Sequence, residues 1–375
     1  MPSGKRRRDE KASAQQLEAL AAVVEGQVIR PDGGAEVGTE GPTLVVRCAG
    51  AADVAAGVRF AKENGLPLNV KDGPGVVVDL SGMKQVEVAA EARRVWVQAG
   101  ATVADVDRAT QRYGLATPTG LPSTANVVGL TLSGGGGWLR RLYGASLDNV
   151  LGLEVVTANG RAEVGEAGAK TLLRNPDAGI VTAVSFRLYP LGPEVVLLTA
   201  VYALPLARAA LYTWRDWTRT APRAASTDFF FWDIPAAAPF PRSLHNKPVV
   251  VVAGLFVGEV RQGLNTFQPL RELSKPLIDL TGPTPYVAAQ SAFDPFLPPG
   301  TQFDTRQRRL PALDDERVEG ILTAIVKGRP RQTLLAIRHL ASTGDGARDA
   351  YLLSATPAGG EDEGLRPLWD ELAAV

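Results

Sequence analysis

The chain has 375 residues, enough for two domains, with 45% hydrophobic and 21% charged residues, ordinary proportions for a folded globular protein. Its 40 basic and 40 acidic side chains cancel, which excludes the strongly one-signed field that draws a protein to nucleic acid or to an anionic membrane. Cys48 is the single cysteine, so an intrachain disulfide is excluded as well.

Residues 1–13, with the basic run Lys5–Arg8, read as a disordered tail. No apolar core follows these basic residues as in a secretory signal, and no run is long enough to span a bilayer. The cytoplasm is therefore the expected compartment, and a small molecule, with neither nucleic acid nor membrane, the expected partner. Ala14–Val24 predicts a short helix. Thr43–Arg47, Ala51–Asn64 and Leu66–Val70 predict a strand, an amphipathic helix and a strand, the usual way to join parallel strands. Gly75–Leu80, Val86–Val88 and Val95–Val97 predict further strands. Val103–Tyr113 predicts a helix closed by Gly114. Val150–Thr157 reads as a strand that turns at Ala158-Asn-Gly-Arg into Ala162–Val164, and Gly179–Leu188 as the last strand of a first domain, 14–192.

A second domain, 193–375, alternates long β-rich runs with amphipathic helices. Strands are predicted at Leu197–Leu204, Asp228–Ile234, Val249–Val257, Thr333–Leu340 and Tyr351–Ala355. Helices are predicted at Leu206–Arg219, Gly263–Leu273 and Asp315–Val326. The pattern implies an antiparallel sheet with covering helices, and the fold class is α+β. Ala236–Pro241 and Pro295–Gly300 are Pro-rich loops.

The stretch Leu121–Asn149 organises the rest. It contains four consecutive glycines, Gly134, Gly135, Gly136 and Gly137, between the apolar run Val127–Leu132 and the basic-aromatic segment Trp138–Tyr143. Glycines in series serve either a close approach of a ligand to the backbone or a tight internal turn, and both readings stand. The spacing is not that of a GxGxxG dinucleotide motif.

The run Leu115-Ala-Thr-Pro-Thr-Gly, Ser123-Thr, Gly129-Leu-Thr-Leu-Ser-Gly-Gly-Gly-Gly-Trp-Leu, Tyr143-Gly and Asp148-Asn resembles the flavin-contacting loop of the FAD-linked oxidases. These are the berberine-bridge-type enzymes of the vanillyl-alcohol-oxidase superfamily. Val46-Arg-Cys-Ala-Gly-Ala-Ala-Asp-Val, Gly100-Ala-Thr, Val155-Val-Thr-Ala-Asn-Gly, Gly179-Ile-Val-Thr and Phe186-Arg-Leu-Tyr-Pro extend the resemblance over roughly residues 43–357. It implies the two-domain VAO/PCMH-type flavoprotein fold, an FAD-binding-like domain followed by a substrate domain.

The resemblance also implies three cofactor devices. A glycine-rich loop with a histidine should fall between Val70 and Val76, where only Lys71-Asp-Gly-Pro-Gly stands. Such a short turn offers few N–H donors for two phosphates. A cysteine found in some members would sit near Ser123. A tryptophan- and glycine-rich stretch would precede Gly179, where Thr171-Leu-Leu-Arg-Asn-Pro-Asp-Ala is found, and the family's C-terminal cover is expected to be missing. These departures lead to the expectation that the fold is kept and FAD is lost, leaving no cofactor. The alternative is noncovalent FAD held by Ser123, Gly134–Gly137 and Tyr143.

Three functions follow. Without flavin, the pocket implied between the domains suits a redox-neutral cyclase closing a ring, by cycloaddition or a related ring closure, on a polyketide-like natural product of antibiotic biosynthesis. With flavin, the chain is an FAD-dependent oxidoreductase acting on a small molecule. The third reading is a non-catalytic binding protein. His339, Tyr286 and Gln290 are the candidate catalytic residues, His339 being equally readable as structural. Tyr286 and Gln290 are spaced to share a helical face. Candidate pocket residues are Trp138, Tyr143, Phe230, Trp232, Phe256 and Phe303. Phe230 and Trp232 share one strand face and Phe229 and Phe231 the other, either of which could face a ligand. His245 is expected on the surface. Two histidines and one cysteine so placed have no metal-ligand spacing, so no metal site is expected.

Overall fold

A computed structural model describes residues 14–31, 42–157, 160–173, 175, 179–237, 240–292, 294, 306–330, 333–340, 350–356 and 365–373. The expected tail 1–13, the turn at 158–159, the loop 295–300, and Phe293 and Phe303 lie outside the described residues. The chain divides into two units that alternate along the sequence. Unit 1 is Met1–Thr117, Ala125–Gly134 and Ser146–Tyr189; unit 2 is Pro118–Thr124, Gly135–Ala145 and Pro190–Val375. The main boundary thus falls between Tyr189 and Pro190, and two short segments expected in the first domain belong to the second.

In unit 1, α1 (Ala14–Val23) leads to β1 (Gln27–Ile29), β2 (Pro42–Arg47), α2 (Ala51–Glu63), β3 (Leu68–Val70) and β4 (Gly75–Asp79). The strands form the sheet β1-β2-β4-β3, in which β2 and β3 both run parallel to β4. The spacing of Val54, Ala61 and Phe60 on α2 places one apolar stripe against Leu44, Val46, Val76 and Val78. Buried Asp53, in the first turn of α2, accepts hydrogen bonds from the N–H groups of Glu25 (2.9 Å), Gly26 (3.0 Å) and Ala49 (2.8 Å), so its carboxylate ties the α1–β1 turn to the start of α2.

The remaining elements up to the boundary are β5 (Val86–Ala89), β6 (Arg94–Gln98), α3 (Val103–Gln111), β7 (Leu115–Ala116), α4 (Val127–Leu132), α5 (Arg140–Tyr143), β8 (Val150–Thr157), β9 (Gly160–Gly165), α6 (Glu166–Leu172), β10 (Ile180–Arg187) and β11 (Tyr189–Pro190). All but α5, and Pro190 of β11, lie in unit 1. The second sheet of that unit has the order β5-β6-β10-β8-β9. Thr102 and Asp105 form a reciprocal capping box at the start of α3. The apolar run Val127–Leu132 is helix rather than strand, because Asn126 caps it by accepting from Gly129 N at 2.8 Å.

Unit 2 is one large antiparallel sheet. Its elements are β12 (Glu194–Ala203), α7 (Ala207–Thr218), β13 (Ala225–Asp233), β14 (Pro248–Phe256), α8 (Val260–Arg271), β15 (Ile278–Asp279), β16 (Gly282–Pro285), α9 (Tyr286–Ser291), β17 (Arg306–Leu310), α10 (Asp315–Gly328), β18 (Leu334–Leu340), β19 (Ala350–Thr356) and α11 (Leu365–Ala373). The strand order is β15-β12-β14-β13-β18-β19-β17, with β16 also on β12. Alternation sends Phe229, Phe231, Leu335, Ile337, Leu353 and Ala355 to one face, where they pack with Trp214 of α7, Phe267 of α8, Ile321 of α10 and Leu368 of α11. The four helices fill that face. The opposite, outer face carries Asp228, Phe230 and Trp232 of β13 with Arg338 of β18.

Candidate functional site

The glycine tract has two jobs. Gly134 ends α4 at φ 78 and is exposed, and among the described residues a Cβ there would meet nothing within 4 Å. An exposed left-handed turn is a place where a ligand can approach glycine backbone closely. Gly137, at φ 48, lies against Gly120, whose Cα would be 3.2 Å from an added Cβ. That is the internal turn. Both readings of the tract are therefore realised, a few residues apart.

Upstream, Thr117 is fully buried, and among the described residues its hydroxyl makes no hydrogen bond. Such a group costs free energy unless something bonds it. In unit 2, Ser123 is held by Asp294, whose Oδ1 accepts from Ser123 N at 2.8 Å while its Oδ2 accepts from Ser123 Oγ. Tyr286 and Gln290 share the buried side of α9, as their spacing implied, and Gln290 Nε2 lies 3.5 Å from Thr119 Oγ1. Ser123, Thr119, Gln290 and His339 all belong to unit 2, and these hydrogen bonds tie the first two to α9 and to Asp294 just beyond it.

His339 sits on the helix-covered face of the sheet. Its ring stacks on Tyr351 of the neighbouring strand, with centroids 5.3 Å apart and planes at 28°. Burial, followed by the positive charge of Arg141, lowers its pKa to about 3. It is neutral at physiological pH and carries no imidazolium proton to give as a general acid. Tyr351 continues the polar chain to Thr218 Oγ1 at 2.6 Å. His245 is half-buried rather than exposed, its Nε2 3.0 Å from the Phe240 carbonyl oxygen.

Arg141, in α5, is buried, and its guanidinium donates to the carbonyls of Ala221 at 3.2 Å, Pro222 at 3.1 Å and Ala225. It fastens the second half of the glycine stretch to the turn that starts β13. Trp138 is buried beside it in sequence, and Tyr143 Oη is 3.5 Å from the Pro190 carbonyl oxygen. Phe256, expected in the pocket, belongs to the core instead, edge-on to Phe267 with centroids 6.4 Å apart. Phe230 and Trp232 do lie on the outer face, half-buried, and Trp232 packs edge-on with Phe240 at 5.7 Å.

Sequence reasoning missed the ion pair of the outer face. Asp228 (2% exposed) faces Arg338 across the β13–β18 ladder. Arg338 Nε is 3.0 Å from both carboxylate oxygens and Nη2 is 2.7 Å from Oδ2. The charge of Asp228 holds the guanidinium above its usual pKa range. The signal was present: a carboxylate in the apolar run beginning at Ala225 and a guanidinium in Leu334–Leu340, at positions that point the same way.

Residues 42–165 match the family described as FAD binding domain. The fold is that of 6-hydroxy-D-nicotine oxidase from Arthrobacter nicotinovorans, with a TM-score of 0.76 at 22% identity over 94% of this chain and 85% of that one. Berberine bridge enzyme, solved as a variant with (S)-reticuline, superposes with a TM-score of 0.75 at 16% identity over 98% and 84%. Fold and family match together give the two-domain VAO/PCMH-type flavoprotein fold with an FAD binding domain match over 42–165, and the chain is similar to FAD-linked oxidases. Among its relatives, the uncharacterized FAD-linked oxidoreductase YgaK of Bacillus subtilis is 25% identical over 276 residues, 68% of this chain and 58% of the relative. An FAD-linked oxidoreductase of Dictyostelium discoideum is 28% identical over 80% of this chain and 67% of its own length. The (R)-6-hydroxynicotine oxidase of Paenarthrobacter nicotinovorans is 32% identical over 41% of this chain and 38% of its own. The match thus covers between 38% and 67% of these relatives' lengths.

These matches overturn the expectation that the chain has no cofactor: the family match and the relatives point to FAD. With it goes the ground for a redox-neutral cyclase of polyketide or antibiotic biosynthesis. The residues present fit the cofactor at two places in unit 1, the exposed left-handed turn at Gly134 and the Thr117 hydroxyl, which makes no hydrogen bond among the described residues. The turn Lys71–Pro74 is as short as expected and is largely spent on itself, with Lys71 N bonded to Val78 O at 3.3 Å and Asn69 Nδ2 to Pro74 O at 2.6 Å. The expected loss of FAD rested on several departures taken together, and the FAD binding domain match over 42–165 outweighs them.

Proposed function

We propose that this protein is an FAD-linked oxidoreductase that holds its flavin noncovalently and oxidises a small organic molecule. The observation that carries the reading is the FAD binding domain match over 42–165, a stretch in which Gly134 is an exposed glycine at φ 78. FAD, when bound, supplies a two-electron acceptor for a hydride equivalent taken from the substrate. Gly134 and Thr117 are the residues that would hold it.

Noncovalent attachment follows from the nucleophiles this chain offers. Cys48 is buried, and desolvation together with Asp53 and Asp79 pushes its thiol up to about 12, which leaves essentially no thiolate at neutral pH. The two histidines of the sequence, His245 and His339, both belong to unit 2, and the second is in its core. The substrate is placed on the outer face of the unit 2 sheet, because helices fill the other face.

The test is a visible spectrum of the purified protein, repeated after incubation with FAD and desalting, followed by acid precipitation. A stoichiometric flavin band whose chromophore stays in the acid supernatant is expected. A protein that returns colourless from FAD would overturn the reading, and flavin carried down with the precipitate would overturn the noncovalent part.

A further inference from the structure

The outer face of the unit 2 sheet carries more cationic than anionic charge. Arg338 spends Nε and Nη2 on Asp228, while Nη1 makes no hydrogen bond among the described residues. The side chain remains 32% exposed, so that edge of the fork can meet a ligand. Register places a second guanidinium on the same face. Arg338 pairs with Leu352 of β19, and Leu352 pairs with Arg309 of the edge strand β17. Two strand spacings put Arg309 roughly 10 Å from Arg338 along the sheet, within joint reach of two long side chains. Arg309 is exposed and has no ion pair among the described residues. The next outward position on β13 is Phe230, diagonal to Arg338 across the ladder. With Asp228 balanced by Arg338, the charge left over on this group is the single positive charge of Arg309.

We propose that the substrate carries a carboxylate, gripped by Nη1 of Arg338 and by Arg309, with its apolar body against Phe230. The inference rests on the oxidoreductase reading above and narrows its substrate to organic monoacids. A carboxylate matches on three counts. It is a monoanion facing one surplus positive charge. Its two oxygens accept several N–H donors in a plane, the geometry that a guanidinium presents and an ammonium does not. The aromatic side chain beside it gives an apolar ligand body a surface to lie on.

The test is calorimetric titration of the FAD-loaded protein with benzoate and with its neutral isostere benzamide. Benzoate is expected to bind at least about tenfold more tightly, the discrimination that one charge-assisted pair supplies. Arg309→Gln, at an exposed position that folding does not need, and Arg338→Lys, which keeps a cation beside Asp228, are each expected to weaken benzoate about tenfold while leaving benzamide unchanged. Circular dichroism checks that both variants fold. Equal affinity for benzoate and benzamide, benzoate affinity unmoved in Arg309→Gln, or tighter binding of phenyl phosphate than of benzoate would overturn the proposal. The flavin band is read separately, so loss of flavin condemns the oxidoreductase reading and loss of carboxylate preference condemns only this one.

Discussion

Replacing Gly134 and Gly137 by alanine, one at a time, separates the two roles of the glycine tract. Both glycines have left-handed backbone, φ 78 and φ 48, which costs an alanine about 1–2 kcal/mol. At Gly134 the described residues add no steric penalty, since the new methyl group meets none of their atoms within 4 Å. At Gly137 the methyl group would stand 3.2 Å from Gly120 Cα and 3.4 Å from its carbonyl atoms. Backbone cannot rotate away as a side chain can, and overpacking adds about 1–3 kcal/mol. The expected losses are therefore about 1–2 kcal/mol for Gly134→Ala and about 2–5 kcal/mol for Gly137→Ala. FAD affinity should reverse that emphasis per unit of stability lost: Gly134→Ala, which keeps its fold, should bind FAD at least about tenfold more weakly, because the methyl group occupies the approach to the backbone. Urea unfolding without added FAD gives the first quantity, and quenching of flavin fluorescence on titration gives the second. FAD affinity of Gly134→Ala within twofold of the parent would refute the assignment of that glycine to the cofactor.

Four further outcomes are expected. Asp228→Asn should cost about 2–3 kcal/mol in urea unfolding, at the lower end for a broken buried pair because Arg338 stays partly hydrated; a loss under about 0.5 kcal/mol would mean the pair is ornamental. Arg141→Lys should not rescue Arg141→Ala, since three carbonyls at the α7–β13 turn need a fork rather than a point donor, and equal stability of Arg141→Lys and parent would contradict this. His339 contributes stability that is complete above about pH 6.5, where the unfolded imidazole is neutral, and is lost as pH falls toward 3, where the buried one finally protonates. The slope is up to about 1.4 kcal/mol per pH unit; His339→Phe should flatten this acid limb between pH 7 and pH 4, and parallel limbs would show that the imidazole is not buried neutral. Cys48, with its thiol pushed up to about 12, should resist a thiol-disulfide reagent at pH 8 in the folded protein and react fully in guanidinium chloride.

Much of the fold was legible because the apolar period changes cleanly along the chain. Phe229, Phe231, Leu335 and Ile337 alternate with half-exposed neighbours, and both alternations end on the same helix-covered face. Val127–Leu132 was less legible: its apolar composition suits several elements, and only the cap supplied by Asn126 decides for helix. The interleaving of the units was not legible, because it depends on bonds over long separations, Ser123 to Asp294 and Arg141 to Ala221–Ala225, which no local pattern encodes. At the site, Phe230 and Trp232 were correctly paired but could not be oriented without their ladder. Phe256 is an aromatic residue whose strand position was readable and whose burial under α8 was not. His339 shows the limit most sharply. Its face was inferred correctly from alternation, yet its chemistry turned on desolvation and on Arg141, a residue 198 positions away in sequence (339 − 141).

The alternation of the two units along the chain bears on how the protein is made. On the ribosome, Gly135–Ala145 emerges before the strands and helices of its own unit, which begin at Pro190. The guanidinium of Arg141 must therefore wait, hydrated, while at least 80 further residues are synthesised before the Ala221 carbonyl exists to receive it (221 − 141). Domains normally fold as their own sequence is completed. Here the sequence of the first unit carries two guest segments that belong to the second, and the rest of their own unit is synthesised only from Pro190 onward. A fragment ending at Tyr189 would keep those guests permanently, so the first unit cut out in this way should be sticky and chaperone-dependent even though every residue of its own core is present.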